Sequence, residues 1–483
     1  MTAFDPLLVT RRQVLKYGVA GIAGAVASPA MGLTDNANRA FEISVGKNRA
    51  NILSGQAMPT EVWSYNGIVP GPVLRVQQGQ RIQVVAENKL EEGTTIHWHG
   101  IRLPNAMDGV PYVTQAPIAP GETFVYDFVA DDAGSFWYHP HTNSMEQVAR
   151  GLSGALIVEE VDPPDVDRDE LWVLDDWRLT REAAIHPSFA HPHDLSHVGR
   201  LGNVVTVNGS EMEEFPLRMG ERIRLRLVNV ANARIFGLEI KDHNPWLVAL
   251  DGHPIKPSQL DENPLILAPG MRADLILDAT GSKDRRYAVI DNFYPRFCYK
   301  LLDLVYDGGT SIVGARQPPR QLSANPVPEP DLVRAEQHQI VFEGGAMGGM
   351  REANMLGRML SIREMFERRV FWAINGKIQA PMVLGDSIDP LFILKHNRSY
   401  VLSMRNNTAW PHPIHLHGHS FRVIRRNGKG VSAPPLRDEV LLMPKDEVDV
   451  AFVANNPGDW MFHCHVLAHQ KSGMMGVIRI ESV

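Results

Sequence analysis

The chain has only two cysteines, Cys298 and Cys464, among 483 residues. That rules out a disulfide framework, whatever compartment the protein works in. Long apolar runs are missing as well: beyond the first thirty residues no stretch approaches the ~20 apolar residues of a membrane-spanning helix. Nor is there an excess of positive charge. Lys and Arg total 48 against 55 Asp and Glu, a formal net charge of −7, which offers no electrostatic footprint for a nucleic-acid partner. Small molecules are the expected partners. Turn chemistry, by contrast, is plentiful: 40 Gly and 34 Pro, with 44% hydrophobic and 21% charged residues, describe a soluble globular protein that leans towards β structure. The length exceeds one compact core and fits three domains.

The amino terminus differs from the rest. Thr10-Arg11-Arg12-Gln13-Val14-Leu15-Lys16 precedes an apolar run from Val19 to Ala27, and small residues follow at Ser28 and Ala30. This reads as a twin-arginine export signal over residues 1–30 with a cleavage site. The run is too short and too rich in Gly and Ala to span ~30 Å of hydrocarbon as an anchor. The expected route is through the twin-arginine translocase, with the folded product unanchored in the periplasm or otherwise outside the cytoplasm. Cys298, in Arg296-Phe297-Cys298-Tyr299, is expected to be a buried small apolar residue.

Three segments share one order: Asn-Gly, a strand with basic and apolar alternation, then an Asn. They begin at Asn66-Gly67, Asn208-Gly209 and Asn375-Gly376. Each reads as a β-sandwich. The first and third also match at their ends, where Gly134-Ser135-Phe136-Trp137-Tyr138-His139-Pro140-His141 lies over Gly458-Asp459-Trp460-Met461-Phe462-His463-Cys464-His465; the middle segment lacks those histidines. Acidic, Pro-containing residues 160–169 and the Pro-rich stretch 314–331 place domains at 38–160, 169–313 and 335–483.

Ten of the 19 histidines fall in four clusters: His97-Trp98-His99, His139-Pro140-His141, His412-Pro413-Ile414-His415-Leu416-His417, and His463-Cys464-His465 followed by His469. On a strand, residues two apart share a face, so each pair presents two imidazoles side by side. Imidazole alone suits zinc, copper, iron or nickel. Cys464 narrows the choice. It must point away from the face of His463 and His465, where His412, His469 and Met474 can join it. One thiolate, two imidazoles and a weak thioether make the trigonal site of blue copper, with Cys464 as its electron-accepting residue. A zinc hydrolase would leave the cysteine and methionine unexplained.

His-Trp-His-Gly, Trp-Tyr-His-Pro-His, His-Pro-Ile-His-Leu-His-Gly and His-Cys-His-x3-His-x4-Met resemble, in order, the four copper-binding motifs of multicopper oxidases. The resemblance spans all three domains. It implies an all-β chain of three cupredoxin-like Greek-key sandwiches holding four coppers. A type 1 ion would lie at His412, Cys464, His469 and Met474, and a type 2 ion at His97 and His415. A type 3 pair would be shared by His99, His139, His141, His417, His463 and His465. Electrons from a small-molecule donor would then reduce O2 to water.

Asp108 stands where similar oxidases keep an acidic residue and is the expected proton carrier, although Asp108-Gly109 is also a turn signal. Several bacterial relatives place Glu after the second type 1 histidine. Here that position is Gln470, an amide that cannot relay a proton as a carboxylate does. The donor is expected to be a phenol or other aromatic, because Thr408 and Trp410 replace the Asp and Met of cuprous oxidases. Oxidation of cuprous ion for copper tolerance is the alternative. Met347, Met350, Met355, Met359 and Met365 bear on it, with Met355 and Met359 expected on one helical face as core packing. A third reading is a non-catalytic copper carrier. His186, His191, His193 and His197 are expected in a solvated loop, and His419 is not expected to be a ligand.

Overall fold

The computed structural model describes residues 39–55, 58–261, 263–309, 316–379 and 388–482, so the export-signal expectation for residues 1–30 lies outside the described residues. The expected all-β architecture of three cupredoxin-like sandwiches in series is what the chain adopts. The first sandwich faces the sheet Thr60–Tyr65, Arg39–Ala50, Arg81–Asn88, Thr123–Val129 against Gly71–Gln77, Gly154–Glu159, Gly134–His139, His97–His99. The second is built from a six-stranded sheet centred on Arg222–Asn229 and Arg272–Asp278 and a five-stranded one centred on Arg286–Asp291. In the third, a sheet running through Ser399–Asn406 covers the order Phe392–Lys395, Met475–Glu481, Gly458–Cys464, His412–Leu416, Glu439–Leu442.

The Asn-Gly pairs show how local chemistry sets these sheets. All six residues have positive φ, the conformation of the tightest hairpin turns, which Asn and Gly tolerate best. The Asn side chains then clamp a neighbouring strand in the same way three times. Asn66 accepts from the N–H of Ser44 and donates to the carbonyl of Glu42; Asn208 does so with Val173 and Leu171, and Asn375 with Val341 and Gln339.

One continuous apolar core joins the first and third sandwiches, running from Ile43, Trp98 and Phe136 to Ile414, Phe462 and Ile480, while the second has a core of its own. The second is tied on by buried ion pairs instead, Arg224 with Glu160 at the end of the first sandwich and Arg272 with Asp438 of the third. In Arg222–Asn229 the alternating arginines are as buried as the apolar residues. Arg224 lies 2.6 Å from both Glu160 and Asp274, and Arg226 is 2.7 Å from Asp169.

Two expectations fail here. Cys298 is exposed, because it follows the single turn Pro295–Phe297 at the surface and has no sheet over it. Met355 and Met359 do not share a helical face: Glu352–Met355 and Arg358–Ser361 form a hairpin, turned by Leu356 and Gly357 at positive φ. The Gly supplies a left-handed turn that a helix could not use. The helix starts only afterwards, at α3 (Ile362–Arg368), where Ser361 and Glu364 form a capping box.

Replacing Arg224 with Met should leave Glu160 and Asp274 with only the longer ion pairs to Arg226, at 3.8 and 3.4 Å, and cost about 3–5 kcal/mol, read from denaturant unfolding. Burial alone would raise the carboxyl of Glu160, but the hydrogen bond and charge of Arg224 bring it below its ordinary value of 4.5. Its contribution is therefore present above about pH 4.5 and lost as the pH falls. The gap between parent and variant should narrow in acid; a gap constant from pH 7 to pH 3 would contradict the pairing.

Candidate metal centres

Strand register brings the histidines together. His97 pairs opposite His139, and His99 opposite Trp137; in the third sandwich His415 lies opposite His463 and Ile414 opposite Cys464. Each strand pair turns its imidazoles towards the seam between the two sandwiches. There His97 stacks on His417 at 3.9 Å and His99 on His415 at 3.8 Å between ring centres, while the Nε2 atoms of His417 and His463 are 3.0 Å apart. Ligand atoms within 4.8 Å of one another group His97 with His415 and His417, His97 with His99 and His139, and His141 with His417 and His463. His465 closes the set, its ring 4.8 Å from that of His99.

The backbone fixes which nitrogen of these rings carries hydrogen. Nδ1–H of His97 donates to the carbonyl of Asp108 at 2.8 Å, that of His139 to Pro140 at 3.1 Å, that of His415 to Asp438 at 2.9 Å and that of His463 to Cys464 at 3.0 Å. A carbonyl only accepts, so the lone pair is left on Nε2. Burial, reinforced by the neighbouring imidazoles, holds His99, His139, His141, His417 and His465 well below the usual histidine range, and His463 near 3. The rings are therefore neutral. The Nε2 atoms of His97, His139, His141, His415 and His465 are buried without a hydrogen-bond partner. Neutral imidazoles with inward, unpartnered lone pairs fit a cluster of metal ions and little else.

The second group is built around Cys464, the middle residue of the tripeptide His463-Cys464-His465. Cys464 Sγ is 3.5 Å from His412 Nδ1 and 3.6 Å from His469 Nδ1, and those nitrogens are 3.1 Å apart. All three residues are fully buried, as is Met474, whose carbonyl accepts from the Cys464 N–H at 3.1 Å. Here the outer nitrogens are held. His412 Nε2–H donates to Thr408 Oγ1 at 2.8 Å, and His469 Nε2–H donates to the carbonyl of His197 at 2.6 Å. Both Nδ1 lone pairs thus face the sulfur, whose thiol burial raises well above its usual value unless a metal claims it. His469 rides on α4 (Leu467–Lys471), which is wedged between α1 (Ser144–Ala149) of the first sandwich and α2 (Pro192–Ser196) of the second.

Asp108 is buried between the rings, with its carboxylate 3.2 Å from His97 Nδ1 and 2.8 Å from His417 Nδ1. It also makes the turn. A Cβ at Gly109, which has φ +77°, would meet the carbonyl of Ile96 at 1.9 Å. Gln470 accepts from Ser144 Oγ at 3.0 Å and so pins α1 to α4. His419 is buried against Phe452 and Trp460, outside the grouped histidines. His193 and His197 lie on and beside α2, in a helical turn where a loop was expected; the cap His191 and Pro192 at the first position start it.

Sequence reasoning missed Asp438 and Glu439. Glu439 is fully buried, has no hydrogen-bond partner at either oxygen and lies 3.2 Å from His99 Nε2. Asp438 is 3.3 Å from the same nitrogen and is clamped by Arg272, whose Nη1 donates to it at 2.8 Å. The only local signal was a charged triplet, Arg437-Asp438-Glu439, opening an apolar strand.

Three family models described as multicopper oxidase match residues 45–163, 169–300 and 364–482. A multicopper oxidase structure from Pseudomonas thermotolerans shares 35% identity with this chain, covering 92% of it and 100% of the other chain with a TM-score of 0.81. The chain belongs to the multicopper oxidase family. Laccase-5 of Trametes villosa is 29% identical over 89% of this chain and 85% of its own length. A Campylobacter jejuni multicopper oxidase whose structure is titled a metallo-oxidase is 28% identical, with a TM-score of 0.75 and 95% of both chains covered. Members bind four coppers of types 1, 2 and 3, and they couple a donor to O2.

Thr408→Val should leave the buried Nε2–H of His412 without an acceptor and destabilise the metal-free protein by about 1–3 kcal/mol. An unchanged thermal midpoint would show that the hydroxyl does not hold the ring.

Proposed function

We propose a laccase-like multicopper oxidase that works outside the cytoplasm and takes single electrons from aromatic donors. The observation that carries the donor class is Trp410. Its indole is 5.2 Å from the ring of His197, whose carbonyl holds His469, and it lines the end of a groove of about 990 Å³ shared with Tyr294, Phe297 and Tyr299. An aromatic donor can stack there. Packing accounts for much of the methionine segment: Met365 is buried and Met350 and Met355 are partly buried in one apolar cluster with Ala353 and Leu360. The residues Arg11-Arg12 and the apolar run after them support export.

In this reading His412, Cys464, His469 and Met474 hold the type 1 ion, and His97 and His415 the type 2 ion. His99, His139, His141, His417, His463 and His465 hold the type 3 pair. Bound copper supplies the redox chemistry, one electron at a time from the donor and four to dioxygen. The chain's own part is to position, admit and protonate. An apolar cavity of about 270 Å³, lined by Val110, Val113, Met461 and Met475, reaches His141 and suits a small apolar gas. Asp108 places Oδ2 2.8 Å from His417 Nδ1, within reach to pass a proton at the cluster. Glu439 takes the part that Gln470 cannot: with both oxygens unpartnered beside His99, its carboxyl is raised well above the usual range by burial and then by Asp251 and Asp438. Burial thus favours its acid form, which can hand a proton inward.

Oxygen uptake by the copper-loaded protein should proceed with a phenolic donor alone. If it proceeds only with cuprous ion, the donor is the metal; if with neither, a carrier remains. Cys464→Ser should abolish the blue thiolate-to-copper band and turnover, and persistence of both would displace Cys464 as the electron acceptor. Glu439→Gln should keep four coppers per chain yet lose turnover by about 10² or more, whereas a loss under about twofold would remove Glu439 as the acid.

A further inference from the structure

Copper chemistry as assigned leaves one pair of histidines unused, and it sits on the outer side of the Cys464 group. His193 lies in α2 and His197 four residues later, just past its end. Residues four apart on a helical turn are neighbours, and two imidazoles at that spacing are a recurrent metal-chelating pair. Their rings stack at 4.0 Å between centres with an interplanar angle of 13°. Nδ1–H of His197 donates to the carbonyl of His193 at 3.1 Å, which leaves the Nε2 lone pair outward. No protein group claims either ring nitrogen of His193 among the described residues. Two nitrogens each about 2.0–2.1 Å from one ion stand about 3.3 Å apart in tetrahedral geometry, comparable with the spacing of the two stacked rings.

Each of the other candidate ligands of this segment, outside the stacked pair, has a partner of its own. His191 Nδ1 accepts the N–H of His193 at 3.3 Å, His186 Nδ1 bonds to Ser188 Oγ at 2.8 Å, and Asp194 is paired with Arg178 at 2.6 Å. The stacked pair therefore stands apart from the remaining histidines of the segment. It also has a direct mechanical link inward, since the His197 carbonyl accepts the Nε2–H of His469 at 2.6 Å.

We propose that His193 and His197 form a site for a borderline divalent ion, zinc(II) or copper(II), on the outer face of α2, and that its occupancy is felt at the Cys464 centre through the His197 carbonyl. Two neutral imidazoles with water completing the shell suit such ions. An ion drawing the His197 ring outward moves the peptide that orients His469, and it places positive charge beside the donor's approach over Trp410.

The probe is zinc chloride, dialysed against the copper-loaded full-length protein, with bound zinc read by metal analysis and the thiolate-to-copper band read in parallel. The parent should take up one zinc beyond its four coppers and shift that band. His193→Ala and His197→Gln should each lose the zinc while retaining copper, and His186→Ala and His191→Ala should keep it. No zinc uptake by the parent, uptake that survives His193→Ala and His197→Gln, or uptake that follows His186 or His191 instead overturns the site. Zinc bound with no change in the band overturns the link to His469. The inward link rests on the type 1 reading, and a copper-loaded protein without the band would mark failure of that reading alone, because zinc uptake is read independently of it.

Discussion

Leaving a buried ring nitrogen without a partner costs about 1–3 kcal/mol, and the seam between the first and third sandwiches does so at eight nitrogens, both of His99 and of His465 and the Nε2 atoms of His97, His139, His141 and His415. Folding alone does not repay that cost. The remaining architecture makes it bearable by fixing the other nitrogen of several of these rings on a backbone carbonyl and by enclosing the set in the single apolar core that both sandwiches share. Metal binding returns the stabilisation, so the affinity of the centre and the stability of the fold are coupled. This also explains why the rings must be neutral. Burial and mutual repulsion depress the proton affinity of His99, His139, His141 and His465, which removes the main competitor for their lone pairs.

The second sandwich contributes none of the grouped histidines, yet both groups lean on it. Arg272 clamps Asp438, whose own carbonyl sets the tautomer of His415; the carbonyl of His197 sets that of His469. A carboxylate as deeply buried as Asp438 persists because a charged partner two strands away in another sandwich holds it, and that partner brings its carboxyl below the ordinary range despite burial. The middle domain thus acts as a buttress that orients ligands from behind.

Much of this was legible in the sequence, for one reason. Metal-ligand pairs two residues apart on strands, and Asn-Gly turns with a fixed conformational demand, carry their geometry locally. The all-β fold and the grouping of His412, Cys464 and His469 follow from such patterns. Features that depend on distant partners did not. Glu439 reads as an ordinary charge beside Asp438 until strand pairing sets it opposite His415 and beside His99. The arginines of Arg222–Asn229 read as one face of a half-exposed strand, whereas carboxylates from other elements bury them. Met355 and Met359 match a helical spacing, but Gly357 between them decides for a hairpin.

Gln470 and Glu439 approach the seam from different elements and meet different constraints. Gln470 sits on α4 beside the cavity that reaches His141, and its side-chain oxygen already accepts from Ser144, which joins two short helices. A carboxylate there would have to break that joint or carry its charge against it. Glu439 approaches from the opposite strand, over Gly270, where a Cβ would meet its carboxylate at 2.1 Å. That glycine is the opening that lets a carboxyl lie next to His99. With Arg272 committed to Asp438, the nearby arginines only partly offset burial, which pushes the Glu439 carboxyl well above its usual range. The arrangement places the buried carboxyl of Glu439 beside His99 and that of Asp108 between His97 and His417, while the cavity that reaches His141 is lined largely by apolar residues.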